Sequence, residues 1–226
     1  KKIWKERNIE YSSPEQLIAL LSDDAKRVTR SNKELNNHNS KNEYFEFSRP
    51  EVQALVNPSS NTILDVGCAS GILGSQIKEK LGAEVWGIEP VKEVGLKARE
   101  VIDRVLIGKV EDNISQLPAQ HFDSIIFSDV LEHLEDPYVI LDLVKDKLSK
   151  NGEIIASIPN VRHWSVLKDL LEGKWEYQDA GILDRTHLRF FTKSSILNMF
   201  QNAGYKINDI GATQFGKHGL SPKLLN

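Results

Sequence analysis

From residue 63 onward the apolar positions switch between two periods. Short apolar runs at 63–67, 84–88, 104–107, 123–128 and 153–158 fit buried strands, and the stretches 72–81, 91–101, 137–149 and 194–203 carry the three-to-four-residue spacing of helices. Such alternation predicts an α/β fold, a doubly wound and mainly parallel sheet with helices on both faces. Residues 205–210 alternate like one more strand. Residues 160–191 keep neither period and are dense in Arg, His, Trp, Tyr and Asp. A long irregular stretch after the fifth strand reads as a cap insertion that shapes a ligand site. Ahead of the sheet, 14–28 is amphipathic, with Leu17, Ile18, Leu20 and Leu21 on one side and Ser13 placed as an N-cap. The polar, Asn-rich stretch 31–42 reads as a linker or lid hinge. The expected organisation is an N-terminal helical arm and lid over 1–50 and a main domain over 51–226, with 160–191 as its cap.

Composition narrows the classes. The 226 residues suit one large domain. With 29 basic and 32 acidic residues the net charge is -3, and no Lys/Arg block suggests a phosphate-tracking surface, so nucleic acid is not an expected partner. No apolar run reaches a membrane span, and no basic-then-apolar segment marks a secretion signal. The single cysteine, Cys68, excludes an internal disulfide and points to a reducing, cytoplasmic setting. The chain begins Lys1-Lys2 without methionine, which suggests excision from something longer and hence flanking domains.

The densest chemical signal follows the first strand. In Ile63-Leu-Asp-Val-Gly-Cys-Ala-Ser-Gly-Ile-Leu-Gly74 an apolar run ends on an acid and breaks into a glycine-rich turn before helical spacing resumes. The glycines stand at 67, 71 and 74, which is not the G-x-G-x-x-G of dinucleotide binders. Glu89 ends the second apolar run 22 residues after Gly67, near the separation of roughly 20 at which an acid takes the hydroxyls of a bound ribose.

With Asp65 ahead of its first glycine, this turn resembles motif I of the class I S-adenosylmethionine (SAM) methyltransferases. Phe122-Asp-Ser-Ile-Ile-Phe-Ser-Asp-Val-Leu-Glu-His-Leu-Glu-Asp-Pro137 resembles the signature after the fourth strand of the same superfamily. The resemblance runs from about residue 44 to 210. It implies a Rossmann-like fold of seven strands and SAM as cofactor. It also implies cofactor-binding roles for Asp65, Gly67, Cys68, Ala69 and Gly71 in the turn, for Glu89 and Pro90 at the second strand's end, for Lys109 and Val110 at the adenine, and for Ser128 and Asp129 beside the methionine end. Related enzymes often carry Asp where Lys109 stands, which leaves Glu111 and the Val110 backbone as substitutes. Tyr44 and Arg49 are expected either to close over the cofactor, with the arginine meeting its carboxylate, or to dock the arm.

Methyl transfer is a displacement in which alignment supplies much of the acceleration, and a base assists when the acceptor is an alcohol. His187 and His133 are the candidate bases, with Asp184 and Glu132 near them in sequence. Arg162, His163, Asp184, Arg185 and Arg189 are candidates to hold an anionic acceptor, and Trp164, with Trp175 and Tyr177, to stack on a ring. No metal is expected, because no His pair stands at i, i+4 and one cysteine makes no thiolate cluster. The runs Ser157-Ile-Pro-Asn-Val-Arg-His-Trp164 and Leu183-Asp-Arg-Thr-His-Leu-Arg-Phe-Phe-Thr192 resemble a branch associated with glycosyltransferases and surface polysaccharides. They imply O-methylation of a sugar, a sugar phosphate or a related glycan precursor, with a glycosyltransferase as a partner. The competing readings are another small acceptor (amine, carboxylate or quinol-like phenol), a SAM-binding domain without turnover, and, more distantly, a nicotinamide oxidoreductase.

Overall fold

The computed structural model describes residues 48–212. The expected helix at 14–28, the polar stretch 31–42, Tyr44 and the tail beyond 212 lie outside the described residues. The described chain falls into two compact units, 48–160 with 186–212, and 161–185.

The larger unit holds five strands: β1 (Thr62–Val66), β2 (Glu84–Glu89), β3 (Arg104–Ile107), β4 (Phe122–Ser128) and β5 (Leu148–Ser157). Their order is β3-β2-β1-β4-β5, and every pairing is parallel. Because β1 lies between β2 and β4, the chain winds outward first through β2 and β3, then returns and winds the other way. That reversal opens a crevice at the carboxyl ends of β1 and its neighbours. Helices α1 (Pro50–Gln53), α2 (Ile72–Leu81), α3 (Lys92–Ala98), α4 (Val110–Asn113), α5 (Pro137–Lys145) and, after the smaller unit, α7 (Lys193–Asn202) complete it.

Strand periodicity sorts the core into two layers. Leu64, Val66, Trp86, Ile88, Ile125 and Phe127 pack with Leu131, Leu141, Met199 and Phe200 on one face. Ile63, Val85, Val105, Ile126 and Ile155 pack with Val52, Leu73, Ile77, Ala98 and Ile102 on the other. A strand buried on both faces reads as a continuous apolar run, which is why 63–66 and 125–127 stand out in the sequence. Local chemistry sets the helix starts: Asp136 accepts from the Tyr138 and Val139 amides with Pro137 at the first turn of α5, and Thr192 and Ser195 form a reciprocal capping box at α7.

At the amino ends of the strands two carboxylates join neighbours. Asp123 accepts from the amides of Asn61 (2.9 Å) and Thr62 (3.3 Å) and from Ser149 Oγ (2.8 Å). Asp103 accepts from the Val85 amide (2.9 Å) and from Lys78 Nζ (2.6 Å). The Asn61 amide leads the contacts that hold the Asp123 carboxyl below its ordinary range; at Asp103 partial burial pushes upward and is outweighed by Lys78 and the Val85 amide.

Two sequence expectations change. Five strands pair among the described residues where seven were expected, and residues 205–210 form no strand. The Tyr205 hydroxyl donates to the Leu141 carbonyl at 2.7 Å, and Tyr205 and Ile207 pack against the core. The alternation there reflects side-chain burial without a strand ladder. Inside the stretch expected to be irregular, the smaller unit contains helix α6 (Trp164–Leu171).

Candidate functional site

The turn after β1 is built around Glu89. The Gly67 and Cys68 amides donate to the Ile88 carbonyl at 2.8 and 3.1 Å, which carries the turn across the end of β2. The Glu89 carboxylate then holds two loops at once: Oε2 accepts from the Ala69 amide at 3.0 Å and Oε1 from the Val91 amide at 2.9 Å. Each oxygen keeps a further lone pair for a ligand donor. Burial raises the Glu89 pKa, and those two amides oppose the rise. Asp65 lies deeper in β1; burial, and then the charge of Glu89, push its pKa up to about 7.

Gly67 and Gly87 are required by close approach. Gly67 has φ +74°, and a methyl there would stand 2.5 Å from Val130 Cγ2. Gly87 faces Cys68, whose Sγ would be 2.5 Å from an added methyl. Cys68 thus fills space behind the turn, and burial, reinforced by the charges of Asp65 and Glu89, pushes its thiol pKa up. A thiol held neutral in this way is a packing group rather than a nucleophile. Pro90 follows Glu89 at the exit of β2, before α3.

At the expected adenine edge, the Gly108 amide donates to the Glu89 carbonyl at 2.9 Å, which brings Lys109 and Val110 beside β2. Val110 is buried in the core. Lys109 is exposed and pairs with Glu135 at 3.4 Å. A cavity of about 440 Å³ opens there, lined by Lys109, Glu111, Asp112, Glu135, Asp136, Val139 and Ile140.

Across the crevice, Ser128 and Ser157 are register partners at the ends of β4 and β5. Asp129 follows in a left-handed conformation, φ +54°. Its amide donates to the Ser157 carbonyl and to Ser157 Oγ, both at 3.1 Å, and Ser157 Oγ donates to Asp129 Oδ1 at 2.8 Å. Asp129 Oδ2 accepts from Arg49 Nη2 in a close ion pair. Arg49 Nη1 also lies 3.5 Å from Glu51.

The two candidate histidines meet. His133 and His187 stack edge to face with ring centres 4.7 Å apart. His133 Nδ1 lies 3.2 Å from both the Thr186 carbonyl and the Thr186 hydroxyl. Glu132 is buried, and its carbonyl accepts the Leu188 and Arg189 amides at 2.9 and 3.0 Å, fastening the segment that carries His187. One donor atom from each of Glu132, His133 and His187 lies within 4.8 Å of the others, a set whose chemistry suits a proton relay or a divalent cation. The sequence placed Asp184 beside His187; the carboxylate gathered with both histidines is Glu132. The absence of an i, i+4 His pair is no guide here, because 54 residues separate two rings that the fold brings into contact.

The candidate acceptor groups are mostly engaged. Arg189 Nη2 donates to the Glu135 carbonyl. Within the 161–185 unit, Arg185 pairs with Asp179 at 2.8 Å, and the Asp184 amide donates to the Gly181 carbonyl at 3.1 Å. His163 caps α6, accepting from the Ser165 amide at 3.4 Å, with the Trp164 ring 6.0 Å away. Arg162 precedes that cap. Trp175 and Tyr177 are exposed. Sequence reasoning gave Ser157 no role of its own; it stood there only inside the fifth apolar run and at the head of the run 157–164.

Residues 39–209 match a family model described as a methyltransferase domain. Among curated proteins, the mitochondrial ubiquinone biosynthesis O-methyltransferase of Schizosaccharomyces pombe is 29% identical over 159 residues, covering 67% of this chain and 57% of the relative. That of Psychrobacter arcticus is 30% identical over 158 residues, covering 66% and 60%. The chain thus spans about three fifths of the length of these relatives. Among solved structures, a SAM-dependent methyltransferase of Thermotoga maritima, described as a possible histamine N-methyltransferase, superposes with TM-score 0.57 at 19% identity over 74% of this chain and 78% of its own. One from Archaeoglobus fulgidus gives 0.56 at 19% identity, over 73% and 72%. These two likenesses establish the fold.

Proposed function

The chain belongs to the methyltransferase-domain family of class I SAM-dependent enzymes, and we propose that it transfers the methyl group of SAM to a hydroxyl oxygen of a small acceptor. The observation that carries the cofactor half is Glu89, which ends β2 and anchors the Ala69 and Val91 amides while retaining lone pairs for a ribose diol. The residues fit that group: the Glu89 carboxylate spends one hydrogen bond per oxygen on the Ala69 and Val91 amides, and Gly67 turns at φ +74° without a side chain. Asp65, Gly67, Cys68, Ala69, Gly71 and Pro90 shape the turn in this reading, Lys109 and Val110 border the adenine, and Ser128, Asp129, Arg49 and Tyr44 serve the amino-acid end.

Bound SAM would supply an electrophilic methyl on a sulfonium, with S-adenosylhomocysteine as the leaving group when that methyl passes to the acceptor oxygen. The chain's own part is to align the acceptor oxygen with that methyl and to take the hydroxyl proton. We assign the proton to His187, with His133 beside it. A second reading is favoured by the Glu132–His133–His187 donor set, which would hold a divalent cation able to polarise the acceptor oxygen. Loss of turnover on chelation and its return with added cation would select that reading.

For the acceptor, the motifs at 157–164 and 183–192 support a sugar, sugar phosphate or glycan precursor. Arg162, His163, Trp164, Asp184, Arg185 and Arg189 are then its candidate contacts, and a glycosyltransferase its candidate neighbour in the cell. The names of the curated relatives support oxygen as the methylated atom and a quinol-like phenol as the alternative acceptor. No helix among the described residues is long and apolar enough to cross a membrane. We place the reaction in the cytoplasm.

The test is calorimetric titration with S-adenosylhomocysteine, with NADH alongside and Glu89→Ala as control, followed by labelled-methyl transfer to a panel of sugars, sugar phosphates, catechols and amines. Micromolar binding that weakens at least about tenfold in the variant is expected, since a charge-assisted hydrogen bond is lost. Tighter binding of NADH would overturn the cofactor assignment, and transfer to amines alone would overturn the oxygen assignment.

A further inference from the structure

We propose that Asp129 and Ser157 are positioning residues that aim Arg49 at the carboxylate of the bound cofactor's amino-acid end, an inference that rests on the cofactor reading above. Arg49 is fixed from behind: its carbonyl accepts the Val52 and Gln53 amides at 3.1 and 2.9 Å, so α1 starts from it, and Val52 packs into the core under the sheet. Its guanidinium reaches 80 residues along the chain to Asp129. Asp129 has little freedom of its own. It sits at φ +54°, a region that Asp and Asn tolerate better than most residues, and Ser157 holds both its amide and its Oδ1. Both carboxylate oxygens are therefore committed, one to Ser157 and one to Arg49.

The location gives this relay its purpose. The residue after Asp129 is Val130, whose methyl occupies the space that a side chain at Gly67 would need. The ion pair therefore lies next to the turn expected to take the amino-acid end of the cofactor. Both partners are largely but not fully buried, their side chains 20% and 19% exposed. An arginine has five donors in a planar fork, so it can serve Asp129 on one edge and a ligand carboxylate on another. A guanidinium held in advance loses less freedom on binding than a mobile one.

Calorimetric titrations with two probes separate this role from a general one. S-adenosylhomocysteine carries the amino-acid end; 5′-methylthioadenosine keeps the nucleoside and thioether but lacks it. Asp129→Asn is expected to weaken S-adenosylhomocysteine about 10- to 100-fold and 5′-methylthioadenosine by less than about twofold, with Ser157→Ala giving about 3- to 10-fold in the same pattern. In an Arg49→Gln background, Asp129→Asn is expected to cost less than about twofold more, because its effect runs through the arginine. Equal weakening of both probes, no weakening, tighter binding of S-adenosylhomocysteine, or additive effects of the two substitutions would each overturn the proposal. Failure of the unmodified chain to bind either probe would instead overturn the cofactor reading.

Discussion

The Ala69 amide donates to Glu89 Oε2 at 3.0 Å, joining the turn after β1 to the acid that ends β2. Ala69 itself stands at φ +49°, a conformation that costs a non-glycine residue about 1–2 kcal/mol. The turn and the acid are consequently one structural unit, and a change at either is felt at the other.

Asp65 gives stability a distinct pH dependence. Burial first, and then the Glu89 charge, raise its pKa to about 7, while in the unfolded chain it titrates near 4. Between these values the folded chain keeps a proton that the unfolded chain has released. The contribution is complete below about pH 4 and is lost as pH rises through about 7. Asp65→Asn cannot ionise, so its urea-unfolding stability should gain on that of the parent by up to a few kcal/mol as pH rises from about 4 to about 7. A gap independent of pH would show that Asp65 does not carry the proton.

Gly67→Ala should destabilise the fold by about 2–4 kcal/mol, combining left-handed strain with the clash against Val130. Adding Val130→Ala should recover the packing part and leave the strain, so the double variant should be more stable than the Gly67→Ala single variant in urea titration. If the two losses simply add, the crowding account fails.

His187→Ala should leave S-adenosylhomocysteine affinity within about twofold and lower methyl transfer by about 10²–10⁴-fold with whichever acceptor the panel returns. Single-turnover kinetics read this without interference from product release. Full turnover from pH 6 to 9 in the variant would remove His187 from the mechanism.

The part of the candidate site proposed for the cofactor could be assembled from the sequence because it is local. Asp65, Gly67 and Glu89 lie at the ends of two adjacent strands whose apolar runs are unmistakable, and one short helix fixes their spacing. The other half is made by chain closure. Glu132 and His187 are 55 residues apart, and nothing in either neighbourhood announces the other. Asp184 is nearer to His187 in sequence, yet sequence proximity in an excursion of this length says little about direction. Helix α6 was hidden because Arg162, His163 and Trp164 drew attention as ligand groups, which masked the helix that His163 caps and Trp164 begins. The alternation at Tyr205 and Ile207 misled for the opposite reason: two side chains bury on one side, but the backbone finds no strand to pair with.

Asp123 and Asp103, at the amino ends of the strands, are held below their ordinary titration range, whereas Asp65 and Glu89, at the carboxyl ends, are held above it. One end of the same sheet is strongest with its acids ionised and the other with them protonated. Acid therefore withdraws stability through the acids at the end remote from the crevice, and alkali through those beside it. The pH interval in which both ends are content is a property of the whole sheet, and substitutions at either end move only one of its limits.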